Sequence, residues 1–267
     1  MARLLTDATI GGYIPTDSWV HRLDPRTKLL ATVLVLIVIF WNQTGFGIGI
    51  ISAMVALSAI GSRVGWRIWL WGLGRFKWML ALTAIFNLWF HRGGEAIQLL
   101  GFVLPVTRQA LLSSLLLTGQ LLDSILISLI LTFTTSPLAL TRACAWFAMP
   151  LKFLRVPVEE ISLVLLLALR FVPAFQQEVR AVVEAQRARG VEFGRGNLLN
   201  RVRNLAAVLV PALLLTWRRG EHLATAMTVR GFRPNTQRSS YRPLRFRMVD
   251  GFVFLCLALI IFFSYLL

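Results

Sequence analysis

Residues 29–62 carry no charged side chain in 34 positions, and the run is broken only by the polar turn Asn42-Gln43-Thr44-Gly45. An apolar run of that length, cut once by turn-forming residues, predicts two membrane-crossing helices joined by a tight hairpin. The first is short. Its 13 residues from 29 to 41 would make about 20 Å of helix against a hydrocarbon core of roughly 30 Å. It therefore has to begin upstream, where Asp24 stands as an N-cap with Pro25 at the first helical position. Arg26 and Lys28 would then snorkel to the headgroups.

A basic loop with Arg63, Arg67, Arg75 and Lys77 follows, then a third apolar segment at 78–90 and a polar stretch at 91–109. The fourth apolar segment, 110–135, is long enough to cross, and the last, 251–267, is 17 residues without charge. The pattern predicts an all-α polytopic helical membrane protein with about five transmembrane helices: a region of about four spans at 1–135, an insert at 136–250 and a C-terminal helix at 251–267.

The insert differs from its flanks. Residues 134–250 hold 18 of the 28 basic and 7 of the 12 acidic residues, a net charge of +11, and are also rich in Leu, Val and Ala. Pro137, Pro150, Pro157 and Pro173 are expected to cut it into short pieces, because proline removes a donor and clashes with the preceding turn. Amphipathic helices at the membrane surface fit such a composition.

Two segments within it read alike. Residues 176–190 are good helix formers, with Glu184 spaced to pair with Arg180 and Arg187, and end in Ala188-Arg189-Gly190; residues 218–231 end in Val229-Arg230-Gly231. In each, Gly caps the helix C-terminus and Arg sits in the final turn, where a cation meets the negative end of the helix dipole. One reading is simple helix termination. The other is a pair of arginines presented at two cytoplasmic helix ends, each able to fork onto carboxylates of a partner.

Composition narrows the class. The chain of 267 residues is 57% hydrophobic and only 15% charged, with a net charge of +16 and a mean hydropathy of +0.69; soluble domains run nearer to about 25% charged. Anionic lipid or an acidic protein is the expected counterpart of this charge, not nucleic acid. Cys144 and Cys256 form no framework or metal-ligand spacing. No apolar h-region precedes the first long hydrophobic run, so no cleavable signal is read.

Basic residues flank the spans unequally. Arg22, Arg26 and Lys28, the 63–77 loop, and the run Arg238, Arg242, Arg245 and Arg247 fall on one side if five helices cross, leaving Arg92 and Arg108 on the other. The positive-inside rule then places the N-terminus in the cytoplasm and the C-terminus outside the cell membrane.

Several motifs, specific in their order, carry a family resemblance: Ser18-Trp19-Val20-His21-Arg22-Leu23-Asp24-Pro25-Arg26-Thr27-Lys28, Thr134-Thr135-Ser136-Pro137, Leu169-Arg170-Phe171-Val172-Pro173, Ala185-Gln186-Arg187-Ala188-Arg189-Gly190, and Arg218-Arg219 leading to Ala226-Met227-Thr228-Val229-Arg230-Gly231-Phe232. Over nearly its whole length the chain resembles the transmembrane T component of energy-coupling factor transporters, the family that includes the CbiQ and BioN proteins. The resemblance implies a scaffold joining a small substrate-binding membrane S component to two P-loop ATPase subunits, which bind the ATP and magnesium. It implies that the Arg189 and Arg230 motifs dock those ATPases; Val229 departs from the alanine usual there.

The residues are compatible with that division of labour. A P-loop needs Gly-Lys-Ser/Thr, and the three lysines Lys28, Lys77 and Lys152 follow Thr27, Phe76 and Leu151. A zinc-binding His-Glu-x-x-His, a Gly-x-Ser-x-Gly elbow and paired carboxylates beside a histidine are absent, and His21, His91 and His222 are scattered, so neither catalysis nor a metal site is expected. Asp123, midway along the fourth segment, is an intramembrane acid: either a polar functional site or a hydrogen-bond partner for a neighbouring helix, with Gln120, Ser124 and Ser128 close by. Gly45 and Gly49 form a small-xxx-small pair that could admit a helix closely. Arg170 could anchor to lipid phosphate or to an acidic neighbour. The tryptophans Trp66, Trp69 and Trp71 suit a membrane interface. The alternative function is a self-contained permease or channel, for which only Asp123 speaks.

Overall fold

The computed structural model describes residues 12–42, 44–90, 96–99, 102–191, 198–233 and 248–266. In chain order the elements are α1 (Pro25–Trp41), α2 (Gly45–Gly61), α3 (Trp66–Gly74), α4 (Lys77–Phe90), β1 (Ala96–Leu99), β2 (Phe102–Thr107), α5 (Arg108–Thr134), α6 (Pro137–Phe147), a 3-10 turn (Met149–Leu154), α7 (Val158–Ala188), α8 (Leu198–Val229) and α9 (Met248–Leu266). They pack as two units: Met1–Ala143 with Pro243–Leu267, and Cys144–Arg242.

In the first unit the predicted start of α1 is realised atom by atom. Asp24 Oδ1 accepts from Arg26 N at 2.9 Å and Pro25 takes the first helical position. Asn42 closes the helix, and its Oδ1 accepts from Thr44 N at 3.0 Å and Thr44 Oγ1 at 2.6 Å, turning the chain into α2. That turn needs Gly47, because a Cβ there would sit 2.0 Å from Asn42 Nδ2. Gly61 likewise makes room for the Trp19 indole, 2.5 Å from the position of a Cβ. The expected Gly45/Gly49 pair is not the contact: Leu116 lies at an ordinary 3.5 Å from the first, and nothing lies within 4 Å of the second.

α5 packs against α1, α2 and α4. The core joins Val35 and Ile39 of α1, Ile51 and Val55 of α2, Ile127 and Ile130 of α5, and Leu257 of α9, with Val20 from the N-terminal segment. The i,i+4 and i,i+3 spacings set each pair on one helix face. Between lipid-embedded helices the gain is van der Waals packing, since lipid tails already remove apolar surface from water. Apolar side chains also face outward, Trp41 at 78% and Trp78 at 77% exposure among them, as a lipid-facing surface requires.

The described helices include one clear apolar span and several shorter apolar ones, in keeping with an all-α membrane protein. Of the described helices only α5, 27 residues and about 40 Å, is long and apolar enough to cross by itself. α2 and α4 are shorter apolar helices of 17 and 14 residues, the first capped at Ser62 and the second beginning at Lys77. The 63–77 loop contains α3, and the polar stretch holds a short antiparallel hairpin in which Leu99 faces Phe102. The run from Arg238 to Arg247, with His91 and Arg92, lies outside the described residues.

Lys28 does not snorkel. It is buried, and its Nζ donates to Thr134 O at 2.9 Å and to His21 O at 3.2 Å. A lysine on the last carbonyls of α5 satisfies groups that a helix C-terminus leaves open, and Asp24 and Asp250 supply the compensating charge.

The proline reading is corrected at one position, Pro173. Pro137 opens α6 behind Ser136, whose Oγ accepts from Ala139 N at 3.3 Å; Pro150 lies in the 3-10 turn; Pro157 precedes α7. Pro173, however, sits inside an unbroken helix of 31 residues, as Pro211 does inside one of 32. An interior proline removes one helical hydrogen bond, and helices this long keep the rest. α7 and α8 pack antiparallel: Glu178 pairs with Arg219, and Gln186 Nε2 donates to Ala207 O at 3.4 Å.

Candidate functional site

The two motifs singled out by spacing adopt one geometry. At the end of α7, Gly190 has φ +87°, its N–H donates to Arg187 O at 2.9 Å, and Val191 N donates to Gln186 O at 3.0 Å. At the end of α8, Gly231 has φ +75°, its N–H donates to Thr228 O at 2.9 Å, and Phe232 N donates to Met227 O at 2.9 Å. Both are Schellman caps, with glycine in the left-handed position that disfavours any side chain. The cap residue in each is the arginine.

This places Arg189 and Arg230 where the chain leaves the helix, and both are exposed. Ala188 and Gly190 are exposed beside the first, and Val229 and Gly231 beside the second. Val229, 83% exposed, is an apolar side chain left without cover in the described residues.

The antiparallel register sets their spacing. Arg189 lies about ten residues beyond Glu178, and Arg230 about ten beyond Arg219, in opposite directions; at 1.5 Å per residue the two guanidinium-bearing ends stand roughly 30 Å apart along the pair. One small pocket on a partner cannot hold both.

Glu184 forms no ion pair among the described residues. The acid that bridges the helices is Glu178 instead. Sequence reasoning missed Gln186 and Pro211, although a signal existed. Pro211 lacks the N–H that would bond the carbonyl four residues earlier, that of Ala207, and Gln186 Nε2 supplies the missing donor from α7. The same residue's backbone carbonyl closes the α7 cap, so Gln186 ties the cap to the neighbouring helix.

Asp123 belongs to the first unit. It is 3% exposed, and a carboxylate oxygen accepts from Ser52 Oγ of α2 at 2.5 Å. Gln120 donates instead to Ile39 O at 3.0 Å and Asn42 O at 2.7 Å, satisfying the end of α1. Ser124 and Ser128 turn back onto carbonyls of their own helix at 2.7 and 2.8 Å, a pattern that hides a hydroxyl within a helix. No cluster of three or more metal-ligating side chains occurs among the described residues. Arg170 is exposed on α7.

The fold and these termini define a polytopic all-α membrane protein that presents two arginine-capped helix ends. The chain belongs to the CbiQ family, described as cobalt transport protein, whose profile matches residues 16–241. It is 35% identical over 241 residues to the energy-coupling factor transporter transmembrane protein EcfT of Streptococcus equi subsp. equi, covering 90% of this chain and 89% of the relative. The protein of that name from Streptococcus thermophilus is 34% identical over 257 residues, covering 95% and 97%, and the one from Listeria innocua is 32% identical over 251, covering 94% of each.

Proposed function

We propose that this chain is the transmembrane coupling subunit of an energy-coupling factor importer, joining two P-loop ATPases to a substrate-binding membrane S component for uptake of a vitamin or transition-metal ion. The observation that carries the reading is the pair of identical Schellman caps, each exposing an arginine, on opposed ends of one antiparallel helix pair. Two separated ends suit two ATPase subunits, each receiving Arg189 or Arg230 in a groove lined by carboxylates. The chain itself is non-catalytic. ATP and magnesium belong to the partners, whose closure moves α7 and α8 as levers. The exposed apolar side chains of these helices, Val164 and Leu165 on α7 and Leu209 and Leu213 on α8, form surface for the S component.

In this reading the N-terminus and the coupling helices are cytoplasmic, the C-terminus is outside, and the basic run near Arg242 meets anionic lipid. The test replaces Arg189 and Arg230 by alanine and measures co-purification of tagged chain with its ATPases. Losing an interfacial, hydrogen-bonded arginine typically costs about 2–5 kcal/mol of association, so the double variant is expected to lose the ATPases while eluting as a folded protein. Full coupled transport by that variant would refute the proposal.

A further inference from the structure

We propose that α3 and the turn into α4 dock on anionic phospholipid headgroups, with Arg67, Arg75 and Lys77 on the phosphates and Trp66, Leu70 and Trp71 at the boundary between headgroups and acyl chains. One face of α3 is fixed to the bundle. The Trp69 ring meets Phe133 of α5 edge-on at 5.4 Å, and Gly72 is buried where a Cβ would come within 3.2 Å of Leu129. Of the three tryptophans expected at the interface, Trp69 is therefore a packing residue. Helical spacing sets Trp66, Arg67, Leu70 and Trp71 on the opposite face, and all four are exposed.

The charge on this surface is uncompensated. Between Asp24 and Glu95 the sequence has no acidic residue, and none of Arg67, Arg75 and Lys77 forms an ion pair among the described residues. Each lies over a tryptophan instead: Arg75 Cζ is 3.7 Å from the centre of the Trp71 ring, Arg67 Cζ 5.8 Å from that of Trp66, and Lys77 Nζ 5.7 Å from that of Trp78. A guanidinium stacked by its face keeps its N–H edge free for phosphate oxygens. The position in the bundle favours lipid over an acidic protein. α4 starts at Lys77 and buries none of its 14 residues; its Trp78, Leu82, Ile85, Phe86 and Trp89 are exposed, a face suited to acyl chains. The cations thus gather where a lipid-facing helix leaves the hydrocarbon, the level at which phosphates lie and tryptophans collect. An acidic protein would have to displace lipid from Trp78 to reach them.

The inference rests on the chain lying in a membrane and not on ATPase docking, so each can fail without the other. The full chain is placed in nanodiscs of palmitoyl-oleoyl phosphatidylcholine, with and without palmitoyl-oleoyl phosphatidylglycerol, and amide hydrogen exchange is followed by mass spectrometry. Exchange across residues 65–78 is expected to slow with phosphatidylglycerol. One basic residue near an anionic surface is worth about a fivefold change, so Arg75→Gln should lose about that much of the slowing. The folded Arg67→Gln/Arg75→Gln/Lys77→Gln variant should lose all of it, while Arg67→Lys/Arg75→Lys, which keeps the charge, should retain most. Equal exchange in both lipids, slowing that persists in the folded triple variant, slowing of equal size along α7 and α8, or loss of a co-purifying protein from the triple variant would each overturn the proposal.

Discussion

Gln186 Nε2 lies 3.4 Å from Ala207 O, the carbonyl that Pro211 leaves without its helical donor. Two features that look unrelated in the sequence, a proline inside one helix and a glutamine near the end of another, are halves of one hydrogen bond. Gln186→Ala is therefore expected to destabilise the α7–α8 pair by about 1 kcal/mol, the usual net worth of such a bond. In a Pro211→Ala background the backbone regains its own donor, and the same change should cost almost nothing. Thermal unfolding of the four proteins forms the cycle; equal effects in both backgrounds would show that the bond is not made.

The cap glycines lead to a second expectation. Gly190→Ala and Gly231→Ala place a side chain in the left-handed region, which costs about 1–2 kcal/mol per residue, although nothing crowds either site within 4 Å. Each helix end should fray and carry its arginine out of position. Hydrogen exchange at Val191 and Phe232, whose amides close the caps, should quicken in the respective variant and stay unchanged in the other.

Asp123 leads to a third. Asparagine retains an acceptor for the Ser52 hydroxyl, so Asp123→Asn should keep both the fold and any coupled transport. Asp123→Leu strands that hydroxyl between helices and should cost about 1–3 kcal/mol. Loss of transport in an Asp123→Asn protein that remains folded would contradict a purely structural carboxylate.

His21 sets a pH dependence. Its Nε2 faces Ile14 O at 3.1 Å and so carries the proton, while Nδ1 accepts from Ser18 Oγ at 2.7 Å. Burial, with a smaller push from Lys28, holds its pKa below the usual 6.5. The folded state thus binds the proton less readily than the unfolded one, so the stabilising contribution is present above pH 6.5 and is lost as pH falls through the lowered value. The melting temperature should drop between pH 7 and pH 5, and His21→Gln should flatten that slope. A slope unchanged in the variant would assign the titration elsewhere.

What could be read in advance was local chemistry. Asp24 before Pro25 favours a helix start, and Arg-Gly after a helical run favours an end, so α1 and both caps follow from a few adjacent residues. What escaped was settled by distant partners. Lys28 reads as an interfacial anchor until Thr134, 106 residues on, offers its carbonyl. Pro173 reads as a breaker because an isolated helix could ill afford it, whereas α7 lies packed along α8. Gly45 and Gly49 match a spacing rule, yet close approach falls at Gly47 and Gly61, where Asn42 and Trp19 happen to turn inward.

The bond from Asp24 N to Asp250 Oδ1 joins positions 226 residues apart, the entrance of the first described helix and the first turn of the last. Lys28 between them is attracted to both carboxylates. During synthesis, then, the opening helix enters the bilayer with its buried lysine still waiting for half of its counter-charge, and only the final stretch of nascent chain delivers it. The C-terminal helix works as a clasp: a chain interrupted before residue 250 leaves the ribosome with every other helix made and the bundle unlocked, ready for quality-control proteases to recognise.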